Sequence, residues 1–344
     1  MLRGQRNTIT DVLGVKVGHV TLEQVLPNGD SVCTGVTAIL PHSGNVFEQK
    51  VPAASFVLNG FGKTAGLIQI EELGVIESPI MLTNTFSVGA VLEGTLAYML
   101  DENHSIGDST SSLNVVVGEC NDSYLNSMRL MKVRPNHAIE AIQNADSTIE
   151  QGAVGAGKGM ICFGMKGGIG SSSRLVQKDD VCFTVGVLTL TNFGKAGECR
   201  IDEWLNQNDF EVTGSILQSE ADNLKPDGSV IIIVATDAPV NERQLKRLAK
   251  RASIGLGRTG THIHNGSGDI IIAFSNGFTI PHESTDMTNA YELLRDDHPI
   301  MNDLFQAVIE ATEEAVYQSM IHAETTLGRM DRVVNSWMNH KHTR

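Results

Sequence analysis

The 344-residue sequence has few aromatic residues, few cysteines and no long cationic or apolar run. It carries 40 acidic against 26 basic side chains, for a net charge of -14. Because nucleic-acid binding needs a concentrated cationic surface, this balance disfavours a nucleic-acid partner. No apolar stretch reaches the roughly 18 residues of a membrane span, and the start of the chain has no signal-peptide core. We therefore expect a cytoplasmic protein with no membrane partner.

Metal and disulfide frameworks are also missing from the sequence. The five cysteines form no CxxC pair and their number is odd, so free thiols buried in a reducing compartment are expected. These cysteines are Cys33, Cys120, Cys162, Cys182 and Cys199. His262 and His264 are expected to share a strand face, but no third ligand stands nearby, so we expect no metal.

Glycine is abundant, with 34 residues, among short β-rich runs that alternate with helical patterns. Residues 63–73 and 136–151 predict helices, and residues 159–163 and 182–190 predict two buried strands that pair. The clearest strand is 229–235, SVIIIVA, which follows the turn sequence PDG. The polar stretch 203–227 before it predicts an exposed loop that could be cut without breaking the core.

Ser229 opens this strand directly after Gly228, and the pair has a chemical option if the bond between them breaks. The hydroxyl would attack the Gly228 carbonyl, passing through an ester that water hydrolyses. The new α-amino group, with a reference pKa of about 7.7, would then act as the base of the hydroxyl. Glycine would permit the strained dihedral angles that this attack needs. A Gly-Ser pair before a strand is also a common turn ending, so this motif alone is weak.

Other polar side chains stand at the ends of hydrophobic runs. Ser267 and Asp269 alternate along an extended segment, so they point the same way and could relay a proton or hold an amine. Asn192 could donate to an oxyanion, or could merely close a turn. Glu119 and Asp122 follow another strand and could pair with an amine, although a solvated turn is the ordinary interpretation.

The glycine-rich run 152–170 matches only the first part of a phosphate-binding loop. Lys158 is followed by Gly159, where that motif requires a serine or threonine, and the run follows a helix pattern instead of a strand. We therefore expect no nucleotide cofactor. Close packing of backbone around a cleft explains the glycines better.

Together these pieces resemble one family, the DmpA-like serine aminopeptidases, with L-aminopeptidase/D-esterase and β-aminopeptidase members. The resemblance runs in order over nearly the full chain, which makes it far more specific than any single motif. Its segments are NTITDVLGVKVGHVTL, TGVTAILPH, LNGFGKTAGL, ESPIMLTNTFSVGAV, GAGKGMICFGMKGGIGSSSR, VGVLTLTNFG, DGSVIIIVATDAP, LKRLAKRASIGLGRTG and NGSGDIIIAFS.

The resemblance implies the architecture of the chain. It implies an α/β fold, a four-layer αββα sandwich, formed by one domain over residues 1–344. It also implies self-cleavage between Gly228 and Ser229 into two chains that stay together, residues 1–228 and 229–344. Relatives assemble typically as a tetramer of this two-chain unit, so a homo-oligomer is expected.

The resemblance also implies roles for five side chains. Ser229 matches the family's nucleophile, and Ser267 and Asp269 match its supporting serine and acidic residue. Asn192 matches the oxyanion-hole asparagine. Glu119 matches an acidic residue near the amine of the substrate, which fits an enzyme that requires a free amino terminus.

Two positions depart from the family pattern. Asp269 stands where members often carry the longer glutamate, and Asn121 stands where some relatives have an aromatic residue. The second departure bears on substrate preference and not on the class of reaction. Tyr124 could supply a hydroxyl nearby, and the loop 164–174 is expected to line the cleft.

Three functions remain compatible with the sequence. The first is hydrolysis through an acyl-enzyme on Ser229, which would release the amino-terminal residue of a small peptide, amide or ester without a cofactor. The second is an acyltransferase similar to the ornithine acetyltransferases of this general fold, although those use threonine. The third is an unprocessed chain that binds without catalysing. Ser229 favours the first function and leaves the preference for L-, D- or β-amino acids open.

Overall fold

The computed structural model describes residues 1–208 and 228–338. The strands are β1 (Lys16–Val25), β2 (Ser31–Leu40), β3 (Gln49–Gly60), β4 (Val75–Ile76), β5 (Ile80–Asn84), β6 (Val116–Cys120), β7 (Ile161–Cys162), β8 (Met165–Lys166), β9 (Ile169–Lys178), β10 (Val181–Asn192), β11 (Ser229–Thr236), β12 (Gly268–Ser275), β13 (Ile280–Pro281), β14 (Thr326–Leu327) and β15 (Val333–Val334). The helices are α1 (Leu67–Leu73), α2 (Val88–Glu102), α3 (Pro135–Gln143), α4 (Ile201–Gln207), α5 (Glu242–Arg258) and α6 (Ile300–Ile321).

Two sheets contain most of these strands. The smaller sheet has the order β1-β2-β5-β6, with β5 and β6 parallel and the other pairs antiparallel. The larger sheet has the order β13-β3-β12-β11-β10-β9, with β4 beside β3. In it β11 and β12 run parallel, and the remaining pairs along this order are antiparallel. Strand β11 is therefore central, with hydrogen-bonded neighbours on both edges.

The side chains of β11 show how the layers stack. Val230, Ile232 and Val234 join the cluster formed with α5 and α6, while Ile231 and Ile233 join the cluster between the two sheets. Burial on both faces explains why SVIIIVA reads as a continuous apolar run instead of an alternating one.

Helices α2 and α3 cover the outer face of the smaller sheet, and α5 and α6 cover the outer face of the larger one. The order of layers is helices, sheet, sheet, helices. This confirms the four-layer αββα sandwich.

Several predicted boundaries are wrong, and the local geometry shows why. The helix predicted over 63–73 begins only at Leu67, although it ends as expected at Gly74, which is left-handed with a φ of 67°. The helix predicted over 136–151 ends at Gln143. After the Asn144 cap, the backbone of Asp146 pairs with that of Val17 in β1, so the chain leaves the helix to extend the sheet region.

The pairing predicted between residues 159–163 and 182–190 is also wrong. In the structure β7 pairs with the two-residue strand β8, and β10 pairs with β9 and β11. Strands β9 and β10 are joined by the short turn at residues 179–180, which makes a local hairpin. Because closing this short loop costs little entropy, β9 is favoured as the partner of β10 over the more distant residues 159–163.

Two further expectations are corrected. The polar stretch predicted as a loop over 203–227 begins inside α4, while residues 209–227 lie outside the described residues. The cysteines are free thiols as predicted, but Cys182 is exposed and Cys199 is only partly buried. Within residues 1–208 and 228–338, no helix is both long and apolar enough to cross a membrane.

The contact between α2 and α3 generates a test of the packing. A Cβ on Gly94 would lie 2.0 Å from the carbonyl oxygen of Pro135, whereas a Cβ on Gly89, in the same helix, would meet nothing within 4 Å. Gly94→Ala should lower the free energy of unfolding by about 1–3 kcal/mol, because overpacking forces the helices apart. Gly89→Ala should raise it by up to about 1 kcal/mol, since alanine is the better helix former. Urea unfolding of both variants measures the difference, and equal effects of the two would contradict this packing.

Candidate active site

Ser229 is placed by the register of the larger sheet. As the first residue of β11, it pairs with Asn192, the last residue of β10, and with Gly268, the first residue of β12. Its side chain is 5% exposed, and its hydroxyl donates to the carbonyl oxygen of Gly228 at 2.7 Å. The backbone N–H of Gly268 donates to the same carbonyl oxygen at 3.2 Å. The carbonyl before Ser229 is thus held between a hydroxyl and a backbone donor.

Gly228 is required for space. A Cβ there would lie 2.5 Å from the carbonyl oxygen of Asn192 and 2.7 Å from the Cα of Phe193. The expectation that glycine supplies strained dihedral angles at this position stays a prediction. Close approach of the backbone at the end of β10 is the physical reason for this glycine.

The side-chain amide of Asn192 is fixed at both ends. Its Oδ1 accepts the backbone N–H of Ile161 at 3.0 Å, and its Nδ2 donates to the carbonyl oxygen of Asn121 at 2.8 Å. The side chain is 8% exposed, beside Ser229 in the register of β10 and β11. A fixed amide next to a serine hydroxyl is a suitable donor for an oxyanion.

Ser267 and Asp269 point the same way, as their alternation predicts. The Ser267 hydroxyl donates to Oδ1 of Asp269 at 2.6 Å, and Oδ2 of Asp269 is buried without a hydrogen-bond partner among the described residues. Burial raises the pKa of the Asp269 carboxyl from 3.8 to about 6, and the Ser267 bond partly opposes this rise. Oδ2 of Asp269 lies near the start of β11 and can accept a hydrogen bond from an amine formed there.

Asn59 is a positioning residue that the sequence did not reveal. Its Nδ2 donates to the carbonyl oxygens of His264 at 3.0 Å, Asn265 at 3.2 Å and Ser267 at 2.7 Å. These bonds tie the turn before β12 to the end of β3. The available signal was the position of Asn59 in the segment LNGFGKTAGL, but its backbone partners lie about 200 positions away along the chain.

Glu119 lies in β6 and is 2% exposed. Its Oε1 accepts the backbone N–H of Lys63 at 2.8 Å, and its Oε2 accepts the hydroxyl of Thr85. Both donors are uncharged, so neither compensates the charge of a carboxylate. A Cβ on Gly62 would lie 3.7 Å from Oε1 and 3.8 Å from the Cα of Gly268, which places Glu119 across Gly62 from the strand start beside Ser229.

The solvated-turn interpretation is wrong for both Glu119 and Asp122. Asp122 is fully buried, accepts from the Asn126 amide at 2.9 Å, and has its pKa raised to about 7 by burial. The Tyr124 ring lies 4.5 Å from the guanidinium of Arg332. No described hydrogen bond or ring contact joins Tyr124 to Ser229.

Two other sequence expectations change in the structure. His262 and His264 lie outside any strand, and His264 Nε2 stands 3.1 Å from Oε1 of Glu198. Across the described ranges, no group of three or more His, Cys, Asp or Glu side chains could hold a metal ion.

In the loop 164–174, which was expected to line the cleft, residues 169–174 belong to β9. There Ser172 donates to a carbonyl of α6 and Arg174 pairs with Glu310.

The chain is similar to characterised peptidases over nearly its whole length. Residues 7–334 match the model of peptidase family S58. A β-peptidyl aminopeptidase, BapA, of Sphingosinicella microcystinivorans is 39% identical over 338 residues, covering 94% of this chain and 84% of that protein.

Solved structures agree with these sequence matches. A crystal structure from Pyrococcus horikoshii OT3 has 46% identity and a TM-score of 0.87, covering 99% of this chain and 94% of the other. The L-aminopeptidase D-Ala-esterase/amidase of Ochrobactrum anthropi, described as a prototype of the serine aminopeptidases and a variant of the Ntn hydrolase fold, has 33% identity and a TM-score of 0.88. The match covers 99% of this chain and 93% of that one.

The raised pKa of Asp269 predicts a pH dependence of stability. Because the folded chain holds this proton more tightly than the unfolded chain, Asp269 lowers stability progressively as pH rises from about 4 to about 6. The full penalty, present above about pH 6, is at most about 3 kcal/mol. In an uncleaved Ser229→Ala background, Asp269→Asn should therefore gain stability relative to its parent between pH 4 and pH 7.5. Urea unfolding at both pH values tests this, and parallel behaviour of the two proteins would contradict it.

Proposed function

Because this chain belongs to peptidase family S58, we propose that it is an aminopeptidase in which Ser229 is the nucleophile, released by cleavage of the bond to Gly228. The observation that carries the proposal is the register that places the Ser229 hydroxyl, the Asn192 amide and the Gly268 N–H together at one strand end. The family assignment makes the chain a serine-type peptidase. The roles of its side chains are the part we propose.

Self-cleavage would start from the hydrogen bond already present. The Ser229 oxygen attacks the carbonyl carbon of Gly228 while the Gly268 N–H holds the carbonyl oxygen. The bond from the Gly228 carbon to the Ser229 nitrogen then breaks, and the nitrogen takes up the proton of the hydroxyl. Water hydrolyses the resulting ester, which leaves a carboxylate on Gly228 and a free amine on Ser229. The products are residues 1–228 and 229–344, which remain one αββα domain.

Turnover would use the same groups on an external substrate. The Ser229 hydroxyl attacks the first carbonyl of the substrate, with its own α-amine as base, and Asn192 together with the Gly268 N–H stabilises the oxyanion. The Ser267–Asp269 pair lies beside the start of β11, and the unpartnered Oδ2 of Asp269 can accept from the α-amine. The acyl group on Ser229 is then released by water.

Glu119 would recognise the free amine of the substrate. It is a buried carboxylate held in place by two uncharged donors, so a substrate ammonium can supply the missing positive charge. This explains why the enzyme would act at an amino terminus and not within a chain. Tyr124 remains a candidate binding residue that could supply a hydroxyl near Asn121.

The substrates we propose are small peptides, amides or esters with a free amino end. They include peptides that begin with a β-amino acid, since the relative from Sphingosinicella is named for that activity. We further propose that the enzyme works without a cofactor in the cytoplasm, as a tetramer of two-chain units. The net charge of -14 gives no attraction to nucleic acid.

The nucleophile is tested by intact mass and amino-terminal sequencing. The wild type should give a fragment that begins at Ser229, whereas Ser229→Ala should stay unbroken and lose all hydrolysis of amino-acid amides. Ser275→Ala removes another buried serine, which donates to the Ala238 carbonyl at the far end of β12. This control should mature normally. Cleavage of Ser229→Ala at the same bond would refute the assignment.

The role of Glu119 is tested by comparing free and N-acetylated substrates. Glu119→Gln should lower kcat/KM for the free-amine substrate by about 30-fold or more, since it removes one partner of a buried charge pair. The acetylated substrate should be affected far less. Glu77→Gln, at a buried acid that pairs with Lys50, is the matched control and should keep the wild-type preference. Equal losses for both substrates in Glu119→Gln would contradict amine recognition.

A further inference from the structure

Lys166 is a fully buried lysine that is not among the side chains of the proposed mechanism. It lies in β8 with no exposed surface, and its Nζ donates to the carbonyl oxygens of Gly157 at 3.0 Å, Met160 at 2.7 Å and Gly167 at 2.7 Å. Three acceptors match the three N–H groups of an ammonium, whereas a neutral amine has only two. Burial lowers the pKa of Lys166 to about 7. Burying a charge is costly, so a structural gain alone is a weak reason for a lysine here.

Two of the carbonyls that Lys166 binds, those of Gly157 and Met160, belong to the turn that precedes Ile161, and the third, that of Gly167, precedes Gly168. The Ile161 N–H in turn donates to Oδ1 of Asn192 at 3.0 Å. On the other side, the Gly168 carbonyl accepts the N–H of Thr191, the residue before Asn192. Lys166 therefore draws together both segments that flank the Asn192 side chain.

The orientation of the Asn192 amide decides whether it can stabilise an oxyanion. Its Nδ2 is a donor and its Oδ1 an acceptor, so a rotation by half a turn would present a repulsive oxygen to the developing negative charge. The Ile161 N–H can bond only the oxygen end of the amide. The Asn121 carbonyl favours the same orientation by accepting from Nδ2 at 2.8 Å, and the Ile161 N–H adds its contribution only while the turn itself is fixed.

We propose that Lys166 is a positioning residue for the reaction, because its ammonium fixes the turn whose Ile161 N–H orients the Asn192 amide. This inference rests on the oxyanion role of Asn192 in the proposed function. Lys166 itself touches no reacting atom. Its effect should appear in kcat, where the oxyanion forms, and not in KM, which reflects capture of the substrate amine.

A double-mutant cycle tests the connection. Lys166→Met, Asn192→Ala and the double variant are compared by kcat and KM, with rates divided by the amount of fragment that begins at Ser229. Asn192→Ala should lower kcat by about 100-fold or more, as loss of one oxyanion donor does. Lys166→Met should lower kcat by about 10-fold or more with KM nearly unchanged. The double variant should be no slower than Asn192→Ala, because both changes remove the same contribution.

The outcomes separate this inference from the proposed function. If Asn192→Ala keeps the wild-type kcat, the oxyanion role fails, and the inference fails with it. If Asn192→Ala is slow but Lys166→Met is normal, or if the two losses multiply, only the role of Lys166 is overturned. Lys50→Met is the control for the loss of a buried lysine, since Lys50 pairs with Glu77 at the start of β3. It should alter thermal stability and leave kcat unchanged.

A second measurement does not depend on maturation. In the uncleaved Ser229→Ala protein with ¹⁵N-labelled asparagine, the side-chain amide signals of Asn192 are assigned by their loss in Asn192→Ala. Added Lys166→Met should shift or broaden these signals, while Lys50→Met should not. Unchanged Asn192 signals in the Lys166→Met protein would overturn the inference even if the variant never cleaves itself.

Discussion

The candidate site depends on the register of three neighbouring strands. Strand β11 is hydrogen-bonded to β10 and β12, and that pairing sets Ser229 between Asn192 and Gly268. A shift by one residue would turn Ser229 to the other face of the sheet. It would also move Ile231 from the core between the two sheets to the face covered by α5 and α6. The apolar clusters on both faces of β11 oppose such a shift. The hydrophobic core therefore fixes the position of Ser229 as well as the fold.

This core also supports several buried polar groups that reduce stability. Asp269 and Asp122 have raised pKa values and Lys166 a lowered one, and burial is the largest cause in each case. Each would be more easily accommodated as an apolar residue of similar size. Asp269 accepts from Ser267 at the start of β12, and the turn that Lys166 binds donates to Asn192 at the end of β10, whereas Asp122 accepts from Asn126. For Asp269 and Lys166, the cost therefore falls where the proposed chemistry needs fixed donors and acceptors, in agreement with the expectation that destabilising groups cluster at functional sites.

The sequence predicted what short-range rules and family resemblance can determine. The alternation of Ser267 and Asp269 needed only an extended backbone, and β11 only a β-branched run. The αββα layers came from the resemblance, since strand patterns do not identify which sheets face each other. The prediction that residues 182–190 pair with residues 159–163 was wrong because the choice of partner strand depends on the cost of loop closure. Asn59 and Lys166 escaped notice because their partners are backbone carbonyls, which carry no residue-type signal.

On the proposed mechanism, one backbone donor serves both reactions in turn. The Gly268 N–H is occupied by the Gly228 carbonyl while the chain is intact, so it cannot receive the oxyanion of an external substrate. On this mechanism, cleavage would create the amine that activates Ser229, and departure of the new Gly228 carboxylate would free the Gly268 N–H. On this mechanism the intact chain would be inhibited by its own scissile bond, and the cleavage that matures the chain would also activate it.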